Sequence, residues 1–204
     1  MSLFESNVSF FTNLLNFEEK QKKFDSIESM QSSFYFLRHA ETDHNVYGIY
    51  DDTVDVYLNE NGIQQAIDAQ TLMNQLPFET VCSSPLSRVQ QTKDIVLKDK
   101  KFEDLILDDF RECPGALWRL FLASELRSLT LEELKIIEEF FLRIEKGLFR
   151  ALSCKGPLLL IAHGGTYWAI SHLLKLEGNK KVGNCVCIKV FWDPSLGWKS
   201  EAIK

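Results

Sequence analysis

The sequence predicts an α/β fold in three layers, in which helices cover both faces of a mostly parallel central sheet. Three observations support this prediction. Strand-like and helix-like segments alternate from Phe34 onward. Two short, continuously apolar segments, residues 34–37 and 158–162, have the character of strands that are buried on both faces. The first segment stops at the pair Arg38-His39 and the second runs directly into His163, and the ligand sites of open α/β sheets lie beyond the carboxyl ends of strands.

Residues 1–33 differ in composition from the rest and are predicted to form an amino-terminal helical extension. Its apolar residues at helical spacing are Val8, Phe11, Leu15, Phe24 and Ile27. Two interpretations stay open: a helix packed on the surface of the domain, or a contact with a partner, including a second copy in a homodimer. Residues 34–204 have the length of one domain with a substantial core.

The first strand is expected to lead into a polar loop, residues 43–59. A helix should then run from Asn59 or Glu60 to Leu76, because Pro77 ends it. The apolar side of this helix is predicted to consist of Ile63, Ala66, Ile67 and Leu72.

Further short strands are predicted at residues 80–82 and 104–107. Between them, Ser84-Pro85 predicts the start of a helix, with the serine as N-cap and the proline at the first helical position. This helix should continue to about Leu97.

Thr130 and Glu133 have the spacing of a capping box, which predicts the start of a long helix. The apolar residues that recur along it at steps of three or four are Leu134, Ile137, Phe141, Ile144, Leu148 and Leu152. The pair Gly156-Pro157 should end it.

The carboxyl-terminal part begins with the second histidine-ended strand, residues 158–162, and continues with a helix over about 166–176. Residues 186–192 and 198–203 are predicted to be a terminal pair of strands that is joined by a turn at 194–197.

Composition restricts the class of protein. The formal net charge of −6 disfavours a general binder of nucleic acid or of anionic membranes, because such proteins need a basic surface. No apolar run approaches the roughly 18 residues that span a bilayer. Five cysteines without a CxxC pair favour reduced thiols, and the amino terminus lacks the basic start of a secretory signal. A cytoplasmic location is therefore expected.

The residues at the strand ends favour a phosphate site. Arg38 and Arg88 offer charged, forked donors that match the geometry of a phosphate group. Helix amino termini near Thr42, Ser84 and Gly164 would add main-chain N–H donors. A neutral histidine at the strand end is a competent nucleophile, and neighbouring arginines lower its pKa.

A metal site at His39, Asp43 and His44 is disfavoured by the adjacent charge of Arg38 and by the incomplete ligand set. Neither a metal nor a cofactor is expected.

Four ordered motifs occur along the chain. They are Arg38-His39-Ala40-Glu41-Thr42 with Asn45, Ser83-Ser84-Pro85-Leu86-Ser87-Arg88 with Thr92, Glu112 with Gly115 and Trp118, and Ala162-His163-Gly164-Gly165. Together they resemble the motifs of the histidine phosphatase superfamily, the phosphoglycerate mutase-like family. The segment between the first two motifs is also similar, at Gly48, Asp55, Leu58, Gly62, Gln65 and Ala66. The resemblance covers about residues 34–204 and implies a phosphoglycerate mutase-like fold.

The resemblance implies a role for each motif residue. His39 would be the nucleophile that becomes phosphohistidine. The groups that hold the phosphoryl oxygens would be Arg38, Arg88 and His163, with Thr42, Asn45 and Gly164 as further phosphate contacts. Glu112 would protonate the leaving oxygen and then act as a base toward water. Beside two arginines, its pKa is expected to be lowered until a bound phosphate dianion offsets their charge.

The sequence also departs from the family pattern. Ala40 stands where the family has glycine, Tyr57 where proline is usual, and Ala162 where serine or threonine is frequent. The flanking pair Cys113-Pro114 makes Glu112 the least typical of the motif residues.

The resemblance constrains the chemistry of the reaction more than it constrains the substrate. Segment 113–130 offers only Arg119 and Arg127 as cations, whereas the mutases that this chain resembles carry a longer and more basic insertion. Loop 43–57 is acidic and aromatic, with Asp43, Asp51, Asp52, Asp55, Tyr47, Tyr50 and Tyr57. A phosphatase is expected, acting on a phosphomonoester with a neutral or apolar leaving group, in a small molecule or a phosphoprotein. The alternatives are a phosphoglycerate mutase or sugar-bisphosphate phosphatase, and a phosphate-binding module without significant turnover.

Overall fold

The structure is a computed structural model that describes residues 33–50, 54–115, 117, 130–177 and 181–203. Its strands are β1 (Ser33–Arg38), β2 (Thr80–Ser83), β3 (Glu103–Ile106), β4 (Leu158–Ala162), β5 (Cys187–Asp193) and β6 (Gly197–Ala202). Its helices are α1 (Asp43–Tyr47), α2 (Glu60–Gln75), α3 (Ser87–Val96), α4 (Leu131–Leu152) and α5 (Gly164–Leu173), and a 3-10 turn spans Asp108–Phe110. The predicted amino-terminal extension lies outside the described residues except for Ser33, so it stays a prediction.

The strands form one six-stranded sheet in the order β3-β2-β4-β1-β5-β6. β4 pairs in parallel with both β1 and β2, and β2 pairs in parallel with β3. β5 is antiparallel to both of its neighbours, β1 and β6, so it alone in this sheet runs against the other five strands. The predicted mostly parallel sheet is confirmed, with a histidine-ended strand, β4, in its interior.

Successive residues of β4 enter two separate cores on opposite faces of the sheet. Leu158, Leu160 and Ala162 lie in the core that α4 and α5 cover. Leu159 and Ile161 lie in the core that α2 and α3 cover. All five side chains are fully buried. A strand that is buried on both faces must be apolar throughout, which explains its unbroken hydrophobic sequence.

α4 begins at the predicted capping box. Thr130 Oγ1 accepts a hydrogen bond from Glu133 N over 3.2 Å, and the Glu133 carboxylate accepts one from Thr130 N over 2.9 Å. The buried residues of the predicted apolar face are Ile137, Phe141, Ile144, Leu148 and Leu152. Each such side chain contributes about 1.5–3 kcal/mol on burial. α4 is therefore firmly packed against the sheet. Neither α4 nor any other helix in the described ranges is long and apolar enough to cross a membrane.

The stretch predicted to be a polar loop contains the short helix α1, so that prediction is wrong. Thr42 and Asn45 cap this helix by exchanging hydrogen bonds: Asn45 N donates to Thr42 Oγ1 over 3.4 Å, and Thr42 N donates to Asn45 Oδ1 over 3.1 Å. An asparagine here takes the place of the glutamate or glutamine of the usual capping box, so the standard sequence signal is missing.

α2 begins after Asn59, as predicted. Of its predicted apolar side, Ala66 is buried and Leu72 packs against the core, whereas the prediction is wrong for Ile63 and Ile67. Ile63 and Ile67 are 40% and 44% exposed. The buried residues of the helix are Gly62, Ala66 and Met73. The helix turns its small residues inward because Gly62 lies against the main chain of Glu41: a Cβ built on Gly62 would lie 2.1 Å from Glu41 O.

Ser84 does not cap α3, contrary to the prediction. α3 begins at Ser87, whose main-chain N–H donates to Asp55 Oδ1 over 3.0 Å. The Ser84 hydroxyl instead lies 2.8 Å from His163 Nε2. The residue that resembled a helix cap therefore belongs to the cleft at the strand ends.

Candidate active site

The carboxyl ends of β1, β2 and β4 meet at one edge of the sheet, because β4 lies between the other two strands. His39 follows β1, His163 follows β4, and Arg88 lies in the first turn of α3, after β2. The two imidazole rings lie edge to face, with centroids 5.2 Å apart and an angle of 63° between the planes. Glu112 reaches the same place: one ligand atom from each histidine and one carboxylate oxygen lie within 4.8 Å of one another.

His39 is held in one orientation by its own loop. Its Nδ1 lies 2.7 Å from Ala40 O, and a carbonyl oxygen only accepts, so Nδ1 carries the hydrogen. The main-chain N–H of Ala40 in turn donates to Thr92 Oγ1 over 3.0 Å. Burial, with the charges of Arg88 and Arg38, holds the pKa of His39 well below its ordinary value of 6.5. The ring is therefore neutral at pH 7, with the lone pair on Nε2.

His163 is fully buried and bonds to Ser84 through Nε2. Burial and the nearby charge of Arg88 also hold its pKa well below 6.5. Its Nδ1 is buried and has no hydrogen-bond partner among the described residues. A buried polar atom of this kind favours a ligand that is able to bond to it.

The two arginines flank these rings. Arg38 is the last residue of β1, and its Nη1 donates to Val182 O over 2.9 Å. A Cβ built on Gly164 would lie 3.5 Å from Arg38 Cζ, so the guanidinium passes close to the first turn of α5. Arg88 is only 8% exposed and lies 3.9 Å from Asp55, measured from Nη1 to Oδ1. α5 begins at Gly164, earlier than predicted, and this places its amino terminus against the Arg38 guanidinium.

Glu112 is bound through one of its two oxygens. Oε1 accepts hydrogen bonds from Cys113 N over 2.8 Å and from Gly165 N over 3.0 Å. The residue is partly exposed, but burial of the carboxyl group raises its pKa, and this outweighs the lowering by the two N–H donors, Arg88 and Arg38. The expectation of a lowered pKa is therefore wrong, because desolvation of the charged form is the larger effect.

Thr42 and Asn45 stand at the edge of the cleft, joined to a residue that sequence reasoning missed. Asn45 Oδ1 accepts from Thr42 N and Thr42 Oγ1, each over 3.1 Å, and from Asn184 Nδ2 over 3.0 Å. Asn184 Nδ2 also lies 3.1 Å from His39 O. These donors occupy the Asn45 amide oxygen, which leaves Nδ2 to donate elsewhere. No sequence motif signals Asn184, since it acts across 139 residues.

The donor set fits an anion better than a metal ion. The potential metal ligands gathered here, within the described ranges, are His39, Glu112 and His163. Arg38 and Arg88 lower the pKa of both histidines, and the same positive potential opposes a bound cation. Asp43 and His44, considered as ligands on sequence grounds, are not in this group. Trp118, Arg119 and Arg127 lie outside the described residues.

The sequence profile of the histidine phosphatase superfamily (branch 1) matches residues 34–185. A curated relative, the agropine synthesis reductase of Rhizobium rhizogenes, is 30% identical over 162 residues, which are 72% of this chain and 36% of the relative. The adenosylcobalamin/alpha-ribazole phosphatase of Salmonella typhimurium is 34% identical over 86 residues, 42% of this chain and 43% of the relative. The matched region therefore spans less than half of each of these relatives.

Solved structures share the fold. A phosphoglycerate mutase from Bacillus anthracis has a TM-score of 0.66 at 20% identity, covering 84% of this chain and 92% of the mutase. The alpha-ribazole phosphatase from Shigella flexneri has a TM-score of 0.63 at 19% identity, covering 84% and 94%. The described sheet and its covering helices thus have the phosphoglycerate mutase-like fold. With the profile matching three quarters of its length, the chain belongs to the histidine phosphatase superfamily, branch 1.

Proposed function

We propose that this protein is a phosphomonoester hydrolase that works through a phosphohistidine intermediate on His39. The observation that supports this most is the state of that imidazole. It is buried, its Nδ1 donates to Ala40 O, and its pKa lies well below 6.5. Nε2 therefore offers a lone pair at neutral pH, and this is the form that attacks phosphorus.

The surrounding donors suit the three non-bridging phosphoryl oxygens. The proposed contacts are Arg38, Arg88, His163, Thr42, Asn45 and Gly164. Two guanidinium groups supply positive charge in a buried place, where it stabilises the charge of the transition state more than it would in water. The partnerless Nδ1 of His163 is an atom that an oxygen ligand would satisfy, and Asn45 Nδ2 is proposed as a further donor.

The proposed reaction has two steps. His39 Nε2 forms a bond to phosphorus while the bond from phosphorus to the ester oxygen breaks, and Glu112 gives its proton to that oxygen. Water then attacks the phosphohistidine, Glu112 takes a proton from the water, the nitrogen–phosphorus bond breaks and inorganic phosphate leaves. Because Oε1 of Glu112 is occupied by two main-chain donors, Oε2 is the oxygen that carries the proton. The steps need neither a metal nor a cofactor.

The surface next to the site favours an apolar leaving group. Large exposed apolar side chains of this surface are Val46, Tyr47, Ile49, Tyr50, Val54 and Tyr57. Burial is the main cause of the lowered pKa of Arg38, and Tyr50 also acts on it. We take this as support for placing the patch beside the phosphate site. We therefore propose a phosphorylated small molecule with a neutral or apolar leaving group, and a phosphoprotein as the second substrate class.

Two other functions make different predictions. A phosphoglycerate mutase or sugar-bisphosphate phosphatase needs cations for a second phosphate, whereas the exposed side chains of the patch are apolar. The candidate cations Arg119 and Arg127 lie outside the described residues. A phosphate-binding module needs no nucleophile, whereas here a neutral histidine lies between two guanidinium groups and a carboxyl group. Both features favour the hydrolysis of a phosphomonoester that has a neutral or apolar leaving group.

The test is hydrolysis of p-nitrophenyl phosphate, 3-phosphoglycerate and fructose 2,6-bisphosphate in the presence of a chelator. His39→Ala is compared with His44→Ala, a histidine of α1 outside the cleft. Turnover that survives the chelator, disappears in His39→Ala and persists in His44→Ala supports the proposal. Folded wild-type protein that hydrolyses no ester would contradict it, and would favour a mutase that needs a priming phosphate, or a binding module.

A further inference from the structure

Arg143 of α4 binds the main chain of the segment that carries Glu112. Its Nη1 lies 2.9 Å from Asp109 O and 2.8 Å from Arg111 O, with a longer contact of 3.4 Å to Asp108 O. Its Nη2 lies 3.1 Å from Glu112 O. One guanidinium group therefore holds four of the five carbonyl oxygens between residues 108 and 112.

The same face of α4 holds the preceding 3-10 turn. Gly147 allows a close approach, since a Cβ built on it would lie 2.6 Å from Asp109 Cβ. Arg150 Nη1 pairs with Asp109 Oδ2 over 2.6 Å. Residues 143, 147 and 150 share one side of the helix because they are spaced by four and three. Of these three, Arg143 is the one with a hydrogen bond to Glu112 itself.

The contact at Glu112 O bears directly on the carboxyl group. Glu112 O and Cys113 N belong to one planar peptide unit. Arg143 binds the oxygen of this unit. The N–H of the same unit, that of Cys113, donates to Glu112 Oε1 over 2.8 Å. The second donor to Oε1, Gly165 N, lies on α5. Turning the peptide unit would remove one of the two donors that orient the carboxyl group.

We infer that Arg143 is a positioning residue for the proton-donating carboxyl group of Glu112, acting through the peptide unit that joins Glu112 to Cys113. The inference rests on the proposed function, because it takes Glu112 as the general acid. The hydrogen bonds of Arg143 go to main-chain oxygens of residues 108–112 and not to the phosphate-binding groups. Its charge, after burial and other nearby charges, also helps to lower the pKa of His163. Arg143→Lys keeps that charge, so a loss that it shares with Arg143→Gln reports the positioning of Glu112.

A positioning role predicts a dependence on the leaving group. Benzyl phosphate releases an alkoxide that must be protonated, whereas p-nitrophenolate leaves readily without a proton. The two esters are otherwise similar aromatic phosphates. Misplacing the acid should therefore slow the first ester far more than the second, while general damage to the site should slow both.

The experiment measures kcat and KM for both esters with wild-type protein, Arg143→Gln, Arg143→Lys and Glu112→Gln. Arg150→Gln is the matched control, because it removes a contact to the same turn without touching the Glu112 peptide unit. Thermal unfolding shows that each variant is folded. Arg143→Lys keeps the charge, but an ammonium lacks the planar fork that spans neighbouring carbonyls.

We expect Arg143→Gln to lose about 30-fold or more in kcat/KM on benzyl phosphate and less than about 5-fold on p-nitrophenyl phosphate, because kcat/KM reports the transfer to His39 and not the later attack of water, which is common to both esters. Arg143→Lys should show the same selective loss, and Arg150→Gln should lose less than about 3-fold on either ester. Equal losses on both esters, full activity of Arg143→Gln, or full rescue by Arg143→Lys would overturn the inference.

Glu112→Gln separates this inference from the proposed function. A selective loss in Glu112→Gln without one in Arg143→Gln overturns the role of Arg143 alone. No selective loss in Glu112→Gln overturns the proposed acid, and the inference with it.

Discussion

Gly165 donates its main-chain N–H to Oε1 of Glu112 over 3.0 Å, and this bond joins two residues that are 53 positions apart in the chain. Together with Cys113 N, it orients a carboxyl group whose pKa is raised by burial. A carboxyl group that is fixed in this way and has a raised pKa has the properties of a general acid.

The first prediction concerns the pH dependence of turnover. Glu112 must be protonated to act as the acid, and its pKa lies above the ordinary 4.5. The value of kcat/KM for benzyl phosphate, which reports the free protein and the transfer to His39, should therefore fall as the pH rises through the Glu112 pKa. Glu112→Gln should lack this alkaline limb while keeping any limb that arises from the substrate. A profile of the variant that parallels the wild-type profile would show that another group is responsible.

The second prediction concerns the pH dependence of stability. The folded-state pKa values of His39 and His163 lie below 6.5, so below that pH the unfolded chain binds more protons and stability falls. Each histidine contributes a slope of up to about 1.4 kcal/mol per pH unit. The raised pKa of Glu112 acts in the opposite direction, but only between 4.5 and its folded-state value.

Urea unfolding at several pH values between 5 and 7 measures this slope. His39→Asn should reduce it, whereas His44→Asn, outside the cleft, serves as the control. A wild-type stability that is constant over this range would contradict a neutral buried pair.

The third prediction concerns the contact of α2 with the loop after β1. In Gly62→Ala, the new Cβ would lie 2.1 Å from Glu41 O, a main-chain atom that has little room to move. We expect a loss of about 1–3 kcal/mol in the free energy of unfolding, although alanine is the better helix former. Thr71→Ala, at an exposed position of the same helix, should be neutral or slightly stabilising. Equal stability of the two variants would refute the close contact.

The fourth prediction concerns the hydroxyl group that bonds to His163. Ser84→Ala leaves the buried Nε2 of His163 without this partner, at a cost of about 1–3 kcal/mol in stability. Turnover should fall as well, since the ring loses what orients it. Ser195→Ala, at the exposed turn between β5 and β6, should change neither quantity. An active and fully stable Ser84→Ala would rule out an orienting role.

Much of the fold could be predicted because a strand buried on both faces must be apolar. The apolar run 158–162 therefore has the same bounds as the strand, and His163 follows its carboxyl end. Ser84 shows the limit of local patterns. Its sequence context is that of a helix cap, but a hydroxyl group is equally suited to a buried imidazole, and the fold brings His163 within 2.8 Å.

The properties that could not be predicted depend on contacts between distant parts of the chain. Counting charges near Glu112 gave the wrong direction for its pKa, because the sequence shows the arginines but not the burial. Arg143 contacts Glu112 across 31 residues and Asn184 contacts His39 across 145, and neither lies in a recognisable motif. A polar residue that binds main-chain oxygens has no fixed spacing from them.

The central place of β4 has a consequence for biosynthesis. His39 N donates to Ala162 O and Ser84 N donates to Ile161 O, so both loops are anchored to a strand that leaves the ribosome after them. β1 and β2 are not neighbours in the sheet and are held together by β4. A nascent chain that contains His39 and Arg88 but ends before Leu158 therefore lacks the strand that joins β1 to β2 in the sheet, and phosphate ligands should protect only the finished protein from proteolysis.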